Sequence, residues 1–325
     1  MTPGYFGRLL CLSFASFFLV HTAVGALVLL AAPAAIRRAE AMRARAAARM
    51  LLVLRLAPLV AASLVVAALC VPSYLWLEPR GEVEALGGLC LVAAALGMFL
   101  SLPAAFRAAS AMVQTLAFGR DCRKAGVSLR LPGCRTPILV VDTPSPLLVL
   151  SGIRRPTLFL SRAIFRSLAP EELDAALCHE DAHRQSRDNL KRLALRLAPE
   201  FLPFGSPFAT LERHWVRLSE WAADDDAASG DPARALSLAS ALVRVARLGT
   251  PAQPQLATSL TECGCGLEAR VDRLLHSPSM GGALPAVPVR PRGSNLLLAG
   301  AFAALVLVLP GALAAVHGLL EILAR

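Results

Sequence analysis

The chain reads as an α-helical membrane protein with four transmembrane helices and a cytoplasmic α+β domain. Three observations predict this class. Hydrophobic residues make up 56% of 325 residues against 17% charged, with a mean hydropathy of +0.57, an apolar balance beyond that of ordinary soluble domains. Four apolar stretches reach the roughly twenty residues needed to cross a bilayer. Between the third and fourth lies a long, more polar segment that mixes short β-rich runs with helical patterns.

The spans fall at about 9–33, 56–77, 85–106 and 296–320, dividing the chain into three transmembrane helices over 1–106, a domain over 107–294, and a last helix with a short tail over 295–325. The first stretch exceeds a signal-peptide core and its basic residues follow it, so it is expected to stay as an anchor. Arg37, Arg38, Arg43, Arg45, Arg49 and Arg55 lie between spans one and two against Glu40 alone, whereas Glu78, Arg80, Glu82 and Glu84 lie between spans two and three, and Arg107, Arg120, Arg123, Lys124, Arg130 and Arg135 follow span three. The positive-inside rule then places the first loop and the 107–294 domain in the cytoplasm and both termini outside. The expected location is a bacterial inner membrane, crossed several times. A net charge of +10, carried almost wholly by Arg, fits a face held against anionic lipid, and no direct nucleic-acid binding is expected. In a reducing cytoplasm Cys122, Cys134, Cys178, Cys263 and Cys265 are expected to be free thiols. His21, inside the first span, reads as a neutral packed histidine.

Within the domain, β-rich runs at Ile138 to Val141, Leu147 to Leu150 and Thr157 to Leu160 are punctuated by Pro and Gly and predict a small sheet. Pro170 followed by Glu171 and Glu172 is a helix start, giving one helix over about 170–197 stopped by Pro199. A second helix is expected from Pro207 to about Ala228, and a third packing helix over Ala233 to Leu248.

The first of these helices carries His179-Glu180-Asp181-Ala182-His183. Side chains four apart share a helix face, so the two imidazoles converge as two ligands of one zinc must. Glu180 projects beside that point, where a general base would stand. Glu220-Trp221-Ala222-Ala223-Asp224 on the next helix offers Glu220 as a third ligand, with Asp224 one turn later to hold a ligand histidine by its other ring nitrogen.

Those two motifs, together with Arg187-Asp188-Asn189-Leu190 and Glu268-Ala269-Arg270-Val271-Asp272-Arg273-Leu274-Leu275, resemble the BlaR/MecR-type antirepressor membrane zinc metallopeptidases. The layout of three spans, protease loop and fourth span is similar as well. The resemblance implies a gluzincin-like zinc metallopeptidase domain with His179, His183 and Glu220 as Zn2+ ligands and Glu180 as general base. It further implies a signalling protease whose protein substrate is a DNA-binding repressor, working with a sensor. The chain departs from that group in having no β-lactam sensor domain after the fourth span, so a separate sensor protein is the expected partner. It departs again at Asp181, which an ideal helix turns away from the metal and which is expected to be tolerated.

An extended substrate is expected to add along an edge strand at Thr157 to Ser161. Arg213, His214 and Arg217 are the candidate oxyanion donors. The Cys263-Gly-Cys265 pair reads as a loop and Ser277 to Arg292 as a tether. Two alternative readings stand beside the endopeptidase: a non-enzymatic membrane signal transducer, and a housekeeping protease of membrane-protein quality control.

Overall fold

The computed structural model describes residues 3–78, 86–129, 136–143, 145–200, 208–249, 256–260, 266–276, 311 and 313–323. Three helices are long and apolar enough to cross a membrane. They are α1 (Pro3–Glu40), a second formed by α2 (Ala44–Val65), a π-helical turn (Val66–Cys70) and α3 (Val71–Leu77), and α4 (Gly88–Ala125). The fourth expected span lies mostly outside the described residues, which retain only Gly311 and a short apolar helix, α11 (Leu313–Leu323). Arg80, Glu82, Glu84, Arg130, Arg135, Cys134, Cys263, Cys265 and the 277–292 tether also lie outside them.

The helices are longer than the apolar stretches. α1 and α4 each run 38 residues, about 57 Å at 1.5 Å per residue against a hydrocarbon thickness of roughly 30 Å. The reason is compositional: the segments flanking the apolar runs are rich in Ala and Arg, both good helix formers, so nothing stops the helix where the hydropathy falls. The expected arginine-rich loop therefore shrinks to residues 41–43, and most of its arginines are helical. α1 and α4 approach closely at Gly97, where a Cβ would collide with the Phe14 carbonyl.

α4 feeds β1 (Gly126–Leu129), the first strand of a five-stranded mixed sheet that continues with β2 (Ile138–Val141), β3 (Leu148–Ser151), β4 (Thr157–Ser161) and β5 (Thr258–Ser259). Their order is β1-β2-β4-β3-β5, with β2 and β4 parallel and the other pairs antiparallel. Both faces are covered. Leu148, Leu150, Leu158 and Leu160 pack with Ile164, Leu173, Leu177, Leu238 and Leu242 of the helical layer. Val149, Phe159 and Val141 point the other way, against Cys122 and Phe118 at the end of α4. Period-two alternation between two apolar layers explains why β3 is buried at every position.

The helical layer comprises α5 (Arg162–Ser167), α6 (Pro170–Ser186), α7 (Asp188–Leu197), α8 (Ala209–Ala228), α9 (Pro232–Leu248) and α10 (Leu267–His276). α6 starts at Pro170 as its sequence requires, with Glu172 accepting from the Ala169 N–H at 2.9 Å. The single helix expected over 170–197 is two helices. They break at Arg187, which adopts a left-handed backbone at φ 55°. α8 packs Leu211, Trp215, Leu218 and Ala222 against Val28, Ala39, Ala44, Ala47, Ala48 and Leu51 of α1 and α2. α8 thus belongs to two apolar clusters, packing on the bundle along most of its length and joining the core of the helical layer through Ala227 and Ala228 at its end.

Candidate metal centre

α6 and α8 lie side by side, and His179, His183 and Glu220 meet between them. Each offers one ligand atom, and these atoms lie within 4.8 Å of one another in a fully buried setting. The two Nε2 atoms are 3.1 Å apart. Glu220 Oε2 is 3.5 Å from His179 Nε2 and Oε1 is 3.4 Å from His183 Nε2. Two nitrogen or oxygen ligands of one tetrahedral ion, each 2.0 to 2.1 Å from it, stand about 3.3 to 3.4 Å apart. The separation of the two imidazoles and each of their separations from Glu220 are thus close to that spacing, with the two histidines facing different oxygens of the one carboxylate.

Both imidazoles are oriented from behind by carboxylates. His183 Nδ1 lies 2.7 Å from Asp188 Oδ2, and His179 Nδ1 lies 3.0 Å from Asp224 Oδ1, the latter pair close but not aligned for a linear hydrogen bond. A proton held on each Nδ1 leaves each Nε2 lone pair facing the common point, the tautomer that metal ligation needs. Asp224 is held in turn by Arg270, which donates from Nε at 2.9 Å and Nη2 at 2.7 Å and also reaches the Leu260 carbonyl. The Arg270 Nη1 stands 3.0 Å from Glu220 Oε2.

The break at Arg187 explains how Asp188 gets there. It ends α6 directly after the metal-facing turn, so that the first residue of α7 folds back on His183. Asn189 secures the turn by donating to the Leu150 and Gly152 carbonyls at 3.1 and 2.9 Å. Sequence reasoning left Asp188, Asn189 and Arg270 without roles, although all three stood in quoted motifs. The acid five residues after His183 was the available signal.

Glu180 is 1% exposed, with Oε2 at 3.5 Å from the Thr258 hydroxyl of β5 and Oε1 without a hydrogen-bond partner. Burial pushes its carboxyl above the usual range, and His179 and His183 pull it back only in part. For Glu220 the balance is opposite: burial is outweighed by His183 and Arg270, and the carboxyl stays ionised well below its ordinary value. Burial also opposes charging His183, but Glu220 and Asp188 win and raise its pKa to about 10. Of the buried carboxylates, Glu220 and Asp224 meet Arg270, Glu220 also stands 3.9 Å from Arg192, and Asp188 is paired with His183 and Lys191. Both Glu220 oxygens lack a hydrogen bond. A divalent cation bound between the two Nε2 atoms would give those oxygens a direct partner.

Two expectations about the surroundings need correction. Arg213, His214 and Arg217 do not approach the centre: Arg213 bonds Thr210 on the surface, and Arg217 pairs with His214, stacks on Trp221 and faces Glu40. β4 is no edge strand, because β2 and β3 occupy both its sides. Asp181 is turned away from the ligand cluster, as an ideal helix places it, and has partners of its own. It accepts from Thr136 at 2.6 Å, Arg184 at 2.7 Å and Gln185 at 2.8 Å.

No protein-family model matches the chain, and no curated protein matches it.

Proposed function

We propose that the chain is a membrane-embedded zinc endopeptidase of the BlaR/MecR type, with a gluzincin-like domain on the cytoplasmic side of four transmembrane helices. The observation that carries the reading is a buried His179, His183 and Glu220 cluster able to hold a metal ion, with a carboxylate, Glu180, beside it and one Glu180 oxygen unpaired. A site meant only to hold a metal has no use for that fourth acid.

When bound, zinc supplies Lewis acidity toward a carbonyl and toward water. His179, His183 and Glu220 hold it, while Asp188 and Asp224 fix the imidazoles. Glu180 takes the proton from the attacking water and passes it to the leaving amine. Its burial suits this task by bringing its basicity closer to neutral. The substrate is a cytoplasmic or membrane protein, with a DNA-binding repressor as the leading candidate and a separate sensor as trigger.

The test compares new protein N-termini in cells expressing wild type or Glu180→Gln. Cuts present only with wild type are expected, while purified Glu180→Gln keeps its zinc. Zinc-loaded wild type that yields no Glu180-dependent cut, in cells or on denatured protein substrates, would overturn the reading.

A further inference from the structure

A cavity of about 490 Å³ opens on the His183 side of the metal centre. Its wall is built from the chain linking β3 to β4, the last turn of α6 and the first of α7. Leu150, Ile153, Pro156 and Leu190 give it an apolar floor, and Arg154 and Arg187 add two cationic side chains to the lining, where the third arginine, Arg184, is held by Asp181 at 2.7 Å. The one acid in the lining, Asp188, has both oxygens engaged, Oδ2 by His183 and Oδ1 by Lys191 at 2.6 Å. The cavity is therefore electropositive beside the reacting centre, with apolar surface suited to an aliphatic stem.

Arg187 adds an independent observation. Its left-handed backbone at φ 55° is one that helix C-termini normally give to Gly or Asn, because a larger side chain is strained there. The helix break that presents Asp188 does not itself require arginine. Arg154, exposed, sits in a turn whose start is pinned by the bond from Asn189 to the Gly152 carbonyl, so its backbone is held in place across the cavity.

We infer that this cavity is a substrate subsite for a carboxylate, and that the peptide bound here carries Glu or Asp next to the bond to be cut. Arg154 and Arg187 clamp the carboxylate by charge-assisted hydrogen bonds, and the side-chain methylenes lie on Ile153, Pro156 and Leu190. The inference rests on the peptidase reading for its substrate class. Its chemistry would also accept the terminal carboxylate of a chain.

The experiment uses full-length, zinc-loaded Glu180→Gln protein in detergent and labelled, C-amidated peptides in which each position in turn carries Glu, Gln or Lys. At one position the Glu peptide is expected to bind about tenfold more tightly than the Gln peptide, as for a charge-assisted pair. That preference should vanish in Arg154→Glu and in Arg187→Asn, the latter keeping the left-handed turn. Equal binding of Glu and Gln peptides, or a preference that both variants leave intact, overturns the subsite. A gain from freeing the C-terminus, lost in the same variants, supports the site with the chain end as the source. Wild-type hydrolysis separates the two claims. Acid-selective binding without any cleavage sinks the peptidase and keeps the subsite, whereas cleavage without acid preference does the reverse.

Discussion

Arg55 and Arg270 are both almost fully buried, at 1% and 2% exposure, and both sit where α8 meets a neighbour. Arg55 reaches from α2 to Glu212 at 2.7 Å, Glu200 at 3.4 Å and the Ala198 carbonyl at 3.3 Å, with its guanidinium 4.4 Å over the Phe208 ring. Its two glutamates remain partly open to solvent. Arg270 meets two wholly buried carboxylates, Glu220 and Asp224. At the first joint one cation meets acids that water also reaches, and the contacts serve packing. At the second the acids are sealed from water and share the interior with two histidines in a cluster that could hold a metal ion, where both Glu220 oxygens lack a hydrogen bond.

That contrast can be broken most severely at the ligands. His183→Ala is expected to leave no metal in the purified protein by elemental analysis, while Arg55→Met should retain it in whatever fraction stays folded. Next comes Arg270→Met, which strands Asp224 as an uncompensated buried charge. A cost of about 3–5 kcal/mol is expected for such a break, read as a fall in thermal stability of the metal-free protein. Arg55→Met should cost less, about 1–2 kcal/mol, because Glu200 and Glu212 can turn to water. Equal losses at the two arginines would erase the distinction.

Asp188→Asn sharpens it further by loosening His183 without touching a ligand, and should weaken metal affinity about 10- to 100-fold in competition titrations. The smallest effect concerns protons. In the metal-free protein His183 has its pKa raised from 6.5 to about 10, so its contribution to stability is complete below pH 6.5 and disappears as pH rises through about 10. Metal binding at neutral pH must displace that proton. Calorimetry in buffers of different ionisation enthalpy should register the release, and affinity should fall as the pH is lowered.

The sequence makes the centre legible where chemistry follows local spacing. His179, Glu180 and His183 are one helical turn, and Asp224 follows Glu220 by another, so the helix period alone gathers them. Asp188 was hidden behind a break at Arg187, a residue that carries none of the Gly or Asn signal of a left-handed cap. Arg270 finds Asp224 across 46 residues of chain, a distance at which no periodicity speaks. The strands show the same division. The β-rich runs at Ile138 to Val141, Leu147 to Leu150 and Thr157 to Leu160 could be read from composition, but composition says nothing about which strand lies beside which, so β4 was expected at the edge and is central. Hydropathy located the apolar stretches behind three helices and missed their ends, since Ala and Arg continue a helix as readily as Leu does.

The wall that α8 makes with α1 and α2 bears on what can be treated as a module. Leu211, Trp215 and Leu218 stand on the same helix as Glu220, so a fragment starting after residue 106 would expose an apolar stripe along the helix that carries a metal ligand. Expression of 107–294 alone is expected to give aggregate, with soluble, metal-loaded fragment as the contrary result. The separable unit, whether for recombination in evolution or for transplantation in the laboratory, is the bundle and the metal helices together.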